Sequence, residues 1–193
     1  AVVVARYSEQ HGDEVEIVLS DMPNDGLLHA LHSGQLDFCV GIEVPGSVSL
    51  ESVGLFEDEL VLVTAGRHAL APLKEVRWEQ LAGQEIVVFT KGSIWEFASS
   101  ALRQHGLSPS SLYQMIHSES LYGVVRAGIA VGIMPSLYTT FLNDEDLHVA
   151  PLRQPTCKRK IALMRRNEIS RNHHVDDCFS ALRKDLQQVD QWF

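Results

Sequence analysis

Few of the features that announce a function are present in this chain. Its 193 residues include three cysteines, Cys39, Cys157 and Cys178, widely spaced and odd in number. No two have the spacing of a metal knuckle or a thioredoxin-type motif, so reduced thiols in the cytoplasm are the expectation. Positive charge is scarce: 16 Lys and Arg stand against 25 Asp and Glu, a net charge of −9. Such a surface repels phosphate backbones and lacks the basic stripe of a protein that lies on anionic lipid, so direct contact with nucleic acid or membrane is not expected. No apolar run approaches the roughly 18 residues needed to span a bilayer. The opening AVVVARYSEQ has too short an apolar stretch for a signal peptide, and no small-residue cleavage site follows it. Also missing are internal repeats, low-complexity segments, a nucleophile elbow, a Walker A loop and a dinucleotide fingerprint, so no cofactor is expected.

What remains is ordinary globular composition, 45% apolar and 21% charged, enough for one large domain or two small lobes with a core each. Val15–Leu19 alternates like a half-buried strand. Asp21–Gly26 is turn chemistry, with Asn24 or Asp25 placed to cap a helix bearing Leu27, Leu28 and Leu31 and stopped by Gly34. Leu36–Ile42 is a short apolar run suited to a strand buried on both faces. Together these pieces predict a βαβ unit with a parallel sheet. Two further strands are expected at Val53–Phe56 and Leu60–Thr64, and Ala65–Pro72 is expected to cross between lobes.

A second α/β run follows. Glu85–Phe89 predicts a strand, and Ser93 with Glu96 forms a capping box for a helix bearing Ile94, Phe97, Ala98, Ala101 and Leu102, closed by Gly106. Leu112–Ile116 predicts a strand, Ser118 a cap for the helix of Leu121, Val124 and Val125, and Ala130–Pro135 a buried strand stopped by proline. Lys160–Met164 predicts one more strand. Val175, Cys178, Phe179, Leu182, Leu186 and Val189 form the apolar stripe of a final helix.

Isolated chemical signals are weak, and each has a structural reading beside the functional one. His29 and His32 lie three apart on one helix and could share a metal, but two ligands make no site. His173 and His174 suit a solvated helix start, and Cys39 between Phe38 and Val40 suits an inert core thiol. Lys158–Arg159–Lys160 suits an exposed strand entry. Gly128–Gly132 precedes and enters a strand, which is the wrong context for a dinucleotide fingerprint. The positive signal is Thr90-Lys91-Gly92-Ser93, between a buried strand and a helix start at the carboxyl end of a parallel sheet. Free helix N–H groups, two hydroxyls and a lysine there favour an anion; alternatively Ser93 merely caps and Lys91 is solvated.

Three longer segments carry a resemblance. Leu31-x-x-Gly34-x-Leu36-Asp37-Phe38-x-Val40-Gly41 resembles the "L-x-x-G-x-(L/I)-D-hydrophobic" segment of LysR-type transcriptional regulators. Glu59–Val63 followed by Arg67–Ala71 resembles their "E-x-L-V-L-V…H-P-L-A" segment, with Ala69 in place of the usual proline. Ser118, Val125, Gly128 and Val131–Pro135 resemble "S-(x)n-V-x-x-G-x-G-I-x-x-(L/M)-P", with Ala130 where glycine is frequent. The segments follow the family's order from about Val15 to Leu186.

The resemblance implies the effector-binding domain of such a regulator: an α/β protein of two Rossmann-like lobes with a central cleft, like type 2 periplasmic binding proteins. Lobe I would be 1–63 plus 157–193 and lobe II 64–156. It further implies a small, anionic effector held in the interlobe cleft by Asn24, Ile42, Thr90, Lys91, Gly92, Ser93 and Ile94, with Ile133 near the floor. A homodimer or homotetramer, cytoplasmic, is implied too, with DNA contacted only by a helix-turn-helix domain that precedes Ala1. The chain would then begin within the first helix of the fold, with Val3, Val4 and Tyr7 as its buried face, although AVVVA also has the β-branched composition of a strand. Two other functions fit the same two-lobe design: a periplasmic solute-binding protein, and an enzyme using Lys91 or a histidine.

Overall fold

The computed structural model describes residues 2–12, 14–90, 92–107, 111–167 and 172–186, with the backbone alone at 2–3, 92–93 and 111. Helices α1 (Val2–His11) and α2 (Asn24–His32) precede strands β1 (Phe38–Ile42), β2 (Leu50–Ala65), β3 (Val76–Arg77) and β4 (Glu85–Phe89). Then come α3 (Gly92–Gln104), β5 (Ser111–Met115), α4 (Ser118–Arg126), β6 (Val131–Pro135), β7 (Leu147–Arg153), β8 (Lys158–Arg166) and α5 (His173–Leu186). Two compact units result, Ala1–Glu57 with Arg159–Phe193, and Asp58–Lys158.

In the first unit, β1 runs antiparallel to β8, with Phe38 opposite Arg165 and Ile42 opposite Ile161, and β8 also neighbours β2. The two-residue period of β8 sends Leu163 to one face and Ala162 and Met164 to the other. Leu163 joins Tyr7, Cys178, Phe179 and Leu182 from α1 and α5. Ala162 and Met164 join Leu31 of α2, Cys39 and Leu50. Gly34, at φ +79°, ends the turn after α2 as its sequence position predicts.

Helix α1 stands where the resemblance implies one, with Val4 and Tyr7 packed into the cluster of α5, so tertiary contact overrides the β-branched propensity of the opening valines. The side chain of Val3 lies outside the described residues. Val15–Leu19 keeps its alternation, with Val15 and Ile17 packed inward and Val18 and Leu19 exposed, but joins no ladder among the described residues. The parallel βαβ unit is therefore replaced by the antiparallel pair of β1 and β8. β1 is not buried on both faces either, since Val40 is exposed.

The strands expected at Val53–Phe56 and Leu60–Thr64 are one strand, β2, of 16 residues. Its middle, Glu57-Asp58-Glu59, reads as an interruption because the strand there leaves one core before entering the next. The chain thus changes units inside β2, and Ala65–Pro72 does not cross. That segment lies wholly in the second unit, where Gly66 N–H donates to the Asp146 carbonyl and Arg67 to the Ala127 carbonyl.

In the second unit β4 is parallel to β5 and to β6, while β2 is antiparallel to β6 and β7. The short β3 pairs parallel with β7, and neither strand was anticipated in the sequence. Residues of β4 alternate between two cores. Ile86 and Val88 meet Ala98, Ala101 and Leu102 of α3, together with Leu60, Leu62, Trp78 and Ile133. Val87 and Phe89 meet Leu121, Tyr122 and Val125 of α4, together with Val61, Val63 and Met134. Ser118 proves to be the first helical residue of α4, with His117 in the cap position. In α5, Cys178, Phe179 and Leu182 are buried as their spacing predicts; Val189 lies outside the described residues.

Candidate ligand site

The connection order of the second unit creates the site. From β4 the chain passes through α3 to β5 on one side, then through α4 to β6 on the other side of β4. α3 and α4 cover opposite faces of the sheet. The loops leaving the parallel strands β4 and β6 therefore diverge, and open α/β sheets bind ligands at the crevice so formed, beyond the carboxyl ends of the strands.

Thr90 follows β4 at that end. Its N–H donates to the Met115 carbonyl at 2.9 Å, and its hydroxyl donates to Gln114 Oε1 at 3.2 Å. The hydroxyl can rotate its proton toward an incoming carboxylate. The first turn of α3 begins two residues on, at Gly92, and supplies backbone N–H groups without helical partners. Ile94 is half-buried against the α4 cluster. Lys91 and the Ser93 side chain, and with it the capping box, lie outside the described residues. Ile133 has no exposed surface and sits in the core with Leu60, Leu62 and Trp78.

Across the crevice Pro135 ends β6, and Ser136–Tyr138 forms a single 3-10 turn. Asp58 is buried, and its carboxylate accepts the Ser136 hydroxyl at 2.8 Å and the Leu137 N–H at 3.1 Å. The Tyr122 hydroxyl donates to the Tyr138 carbonyl, and the Tyr138 ring lies 5.0 Å from the Phe89 ring. Burial, with Glu119 nearby, raises the Tyr122 phenol above its usual range, so it stays a donor. Gln114, Asp58, Ser136 and Tyr138 were not singled out from sequence. The signal for the turn was there: Pro135 stops a strand parallel to β4, so the next residues must lie at the same end as Thr90.

Two more of the expected residues belong to the first unit, where the structure brings them together. Asn24 opens α2, yet its side chain makes no cap, and Pro23 holds the cap position. Instead Asn24 Oδ1 accepts the Ile42 N–H at 2.9 Å, tying the start of α2 to the end of β1.

The weaker signals take structural places. His32 is engaged through both ring nitrogens, with the Leu28 carbonyl at 2.7 Å and Ser49 Oγ at 3.2 Å. Among the described residues no group of three His, Cys, Asp or Glu could hold a metal. Burial pushes the Cys39 thiol up to about 11 and raises Cys157 and Cys178 as well, which keeps all three protonated and poor as nucleophiles near neutrality. His173 and His174 open α5, and Lys160, at the start of β8, pairs with Glu43 at 3.9 Å. No described helix is long and apolar enough to cross a membrane.

Comparison with known proteins agrees with this architecture. The chain is 25% identical over 179 residues to the HTH-type transcriptional regulator YfeR of Shigella flexneri, covering 91% of this chain and 57% of the relative. It is 26% identical over 147 residues to the HTH-type transcriptional regulator CysB of Haemophilus influenzae, covering 75% of this chain and 45% of the relative. The chain thus spans about half the length of these curated relatives. Among solved structures, the BenM effector-binding domain with its effector benzoate superposes with TM-score 0.82 at 18% identity, covering 100% of this chain and 87% of that one. The regulatory domain of Synechocystis CcmR in complex with 2-PG gives TM-score 0.82 at 12% identity, covering 97% and 89%. The fold is therefore the two-lobe, periplasmic-binding-protein-like α/β fold of these domains. Residues 2–187 match the family described as LysR substrate binding domain. That family consists of sensing domains of transcription regulators, not of enzymes. The chain belongs to the LysR substrate-binding-domain family.

Proposed function

We propose that this chain senses a small organic anion on behalf of a LysR-type transcription regulator. The observation that carries the reading is the crevice at the carboxyl ends of β4 and β6, bordered by the Thr90–Gln114 pair and the start of α3, in a chain of this family. Thr90, Lys91, Gly92, Ser93 and Ile94 bind the anion, Ile133 shapes the wall behind them, and Asn24 and Ile42 contribute from the first unit. Binding shifts the population of regulator states by its differential affinity for them, and that shift controls transcription. The regulator is cytoplasmic and assembles as a homodimer or homotetramer. It touches DNA through a helix-turn-helix domain outside this chain, which agrees with the net charge of −9 found here.

Thermal unfolding against a panel of organic acids tests the reading. At about 100 times Kd a true effector stabilises the chain by roughly 2.7 kcal/mol, a midpoint rise of about 5–10 °C for a chain this size. Ser93→Trp places an indole in the first turn of α3 and is expected to abolish the rise without unfolding the protein. A variant that responds like the parent would place the effector elsewhere.

A further inference from the structure

We infer that Gln114 is a further ligand of the anion and grips it together with Thr90, so that the site takes a carboxylate by both of its oxygens. This rests on the function proposed above and names the class of ligand. Sheet register sets the pair. β4 and β5 run parallel, with Val88 beside Gln114 and Phe89 beside Met115. Val88 packs on the α3 side of the sheet, among Ala98, Ala101 and Leu102. Residues side by side in a parallel pair point the same way, so Gln114 lies on the face that α3 covers. The Thr90 N–H is held by the Met115 carbonyl at 2.9 Å, and the Thr90 hydroxyl meets Gln114 Oε1 at 3.2 Å. Two residues on, α3 begins at Gly92.

In that arrangement the one proton of the Thr90 hydroxyl is spent on Gln114. Its oxygen then shows an incoming anion only lone pairs, which repel it. Gln114 removes the conflict by turning its amide about the last torsion, which is soft and roughly two-fold. The side chain is exposed and its Nε2 has no partner among the described residues, so the turn breaks no other bond. Nε2 then donates one proton to Thr90 Oγ1 and keeps its second for the ligand, while the Thr90 proton is released. Two donors now stand side by side, one for each carboxylate oxygen, and each bond is strengthened by the charge. A glutamate in this place accepts only: it holds the Thr90 proton and sets a like charge against the anion.

Acetate is the smallest probe that carries both oxygens and a methyl, and NMR titration of the isotope-labelled chain reads it residue by residue. Acetate is expected to shift the Gln114 side-chain NH2 signals and the Thr90 backbone amide with a single Kd. Gln114→Glu should weaken acetate at least about tenfold. Gln114→Leu frees the Thr90 proton but lacks Nε2, so its affinity should fall between those of the parent and Gln114→Glu. The position is exposed, and the spectra of both variants report that the fold is kept. If acetate shifts the Thr90 amide and Thr90→Val weakens it, but the Gln114 NH2 signals stay still or Gln114→Leu binds like the parent, Gln114 is no ligand and the proposed function stands. If acetate shifts neither residue, or binds Thr90→Val unchanged, the shared grip and the proposed site both fall.

Discussion

Asn24 and Gly41 define a tight residue-level constraint in the first unit. A Cβ at Gly41 would lie 2.8 Å from Asn24 Oδ1, 3.4 Å from Met164 and 3.5 Å from Leu27. The amide oxygen is committed to the Ile42 N–H at 2.9 Å. Gly41→Ala must therefore push Asn24 off its partner, leaving a partly buried N–H unsatisfied. Urea unfolding should show a loss of about 1–2 kcal/mol for Gly41→Ala and a similar loss for Asn24→Ala. Because both changes break one hydrogen bond, the double variant should lose clearly less than the sum. Full additivity would mean that the two residues do not act through this contact. The sequence marked Asn24 as special but assigned it to a cap, since Asn before a helix most often serves there. Only the position of β1 beside α2 showed the other use.

At the scale of elements, α4 packs closely on β6 at Gly132. Gly132 lies where a Cβ would be 2.9 Å from Leu121 Cδ2 and 3.1 Å from Val125 Cγ2, so the helix rests directly on the strand backbone. Gly132→Ala overpacks this contact and should destabilise the protein by about 1–3 kcal/mol, read as a lower urea midpoint at unchanged m-value. A neutral result would show that α4 can lift away freely. Elements with a local code were legible: β4, whose bounds Glu85–Phe89 agree, α3 with its turn at Gly106, and the apolar stripe of α5. Elements defined by pairing were not. β7 carries Pro151 and His148 in its interior and became a strand because β2 and β3 offered edges on both sides. Val15–Leu19 has a strand's alternation without a ladder among the described residues, because alternation reports burial and not partners.

At the scale of the whole molecule, the second unit is continuous in sequence and the first is not. The ends of the second unit already meet, with Leu60 N–H donating to the Cys157 carbonyl at 3.1 Å. Both of its core clusters are built from its own residues. A fragment of residues 58–158 should therefore fold alone and unfold cooperatively, and the buried Trp78 should give it a near-ultraviolet circular dichroism signal. Residues 1–57 alone should not fold, since β1 needs β8 and Tyr7 needs Phe179 and Leu182. A structureless 58–158 fragment would show that the second unit depends on the first.

The sequence by itself determined which residues face inward, where most helices begin and stop, and, through three ordered segments, the family and its two-lobe α/β design. The inward faces and helix ends follow from short-range rules, apolar spacing, glycine at positive φ and turn chemistry, whereas the family and its design came through resemblance. Tertiary structure alone decided that β1 pairs antiparallel with β8, that β2 runs unbroken through both units, and that Asp58 reaches Ser136. Asp58 and Ser136 stand 78 positions apart, and β1 lies more than a hundred residues before β8. No local pattern encodes such distances. They are set when chain segments compete for the same hydrogen-bonding edges and buried surface.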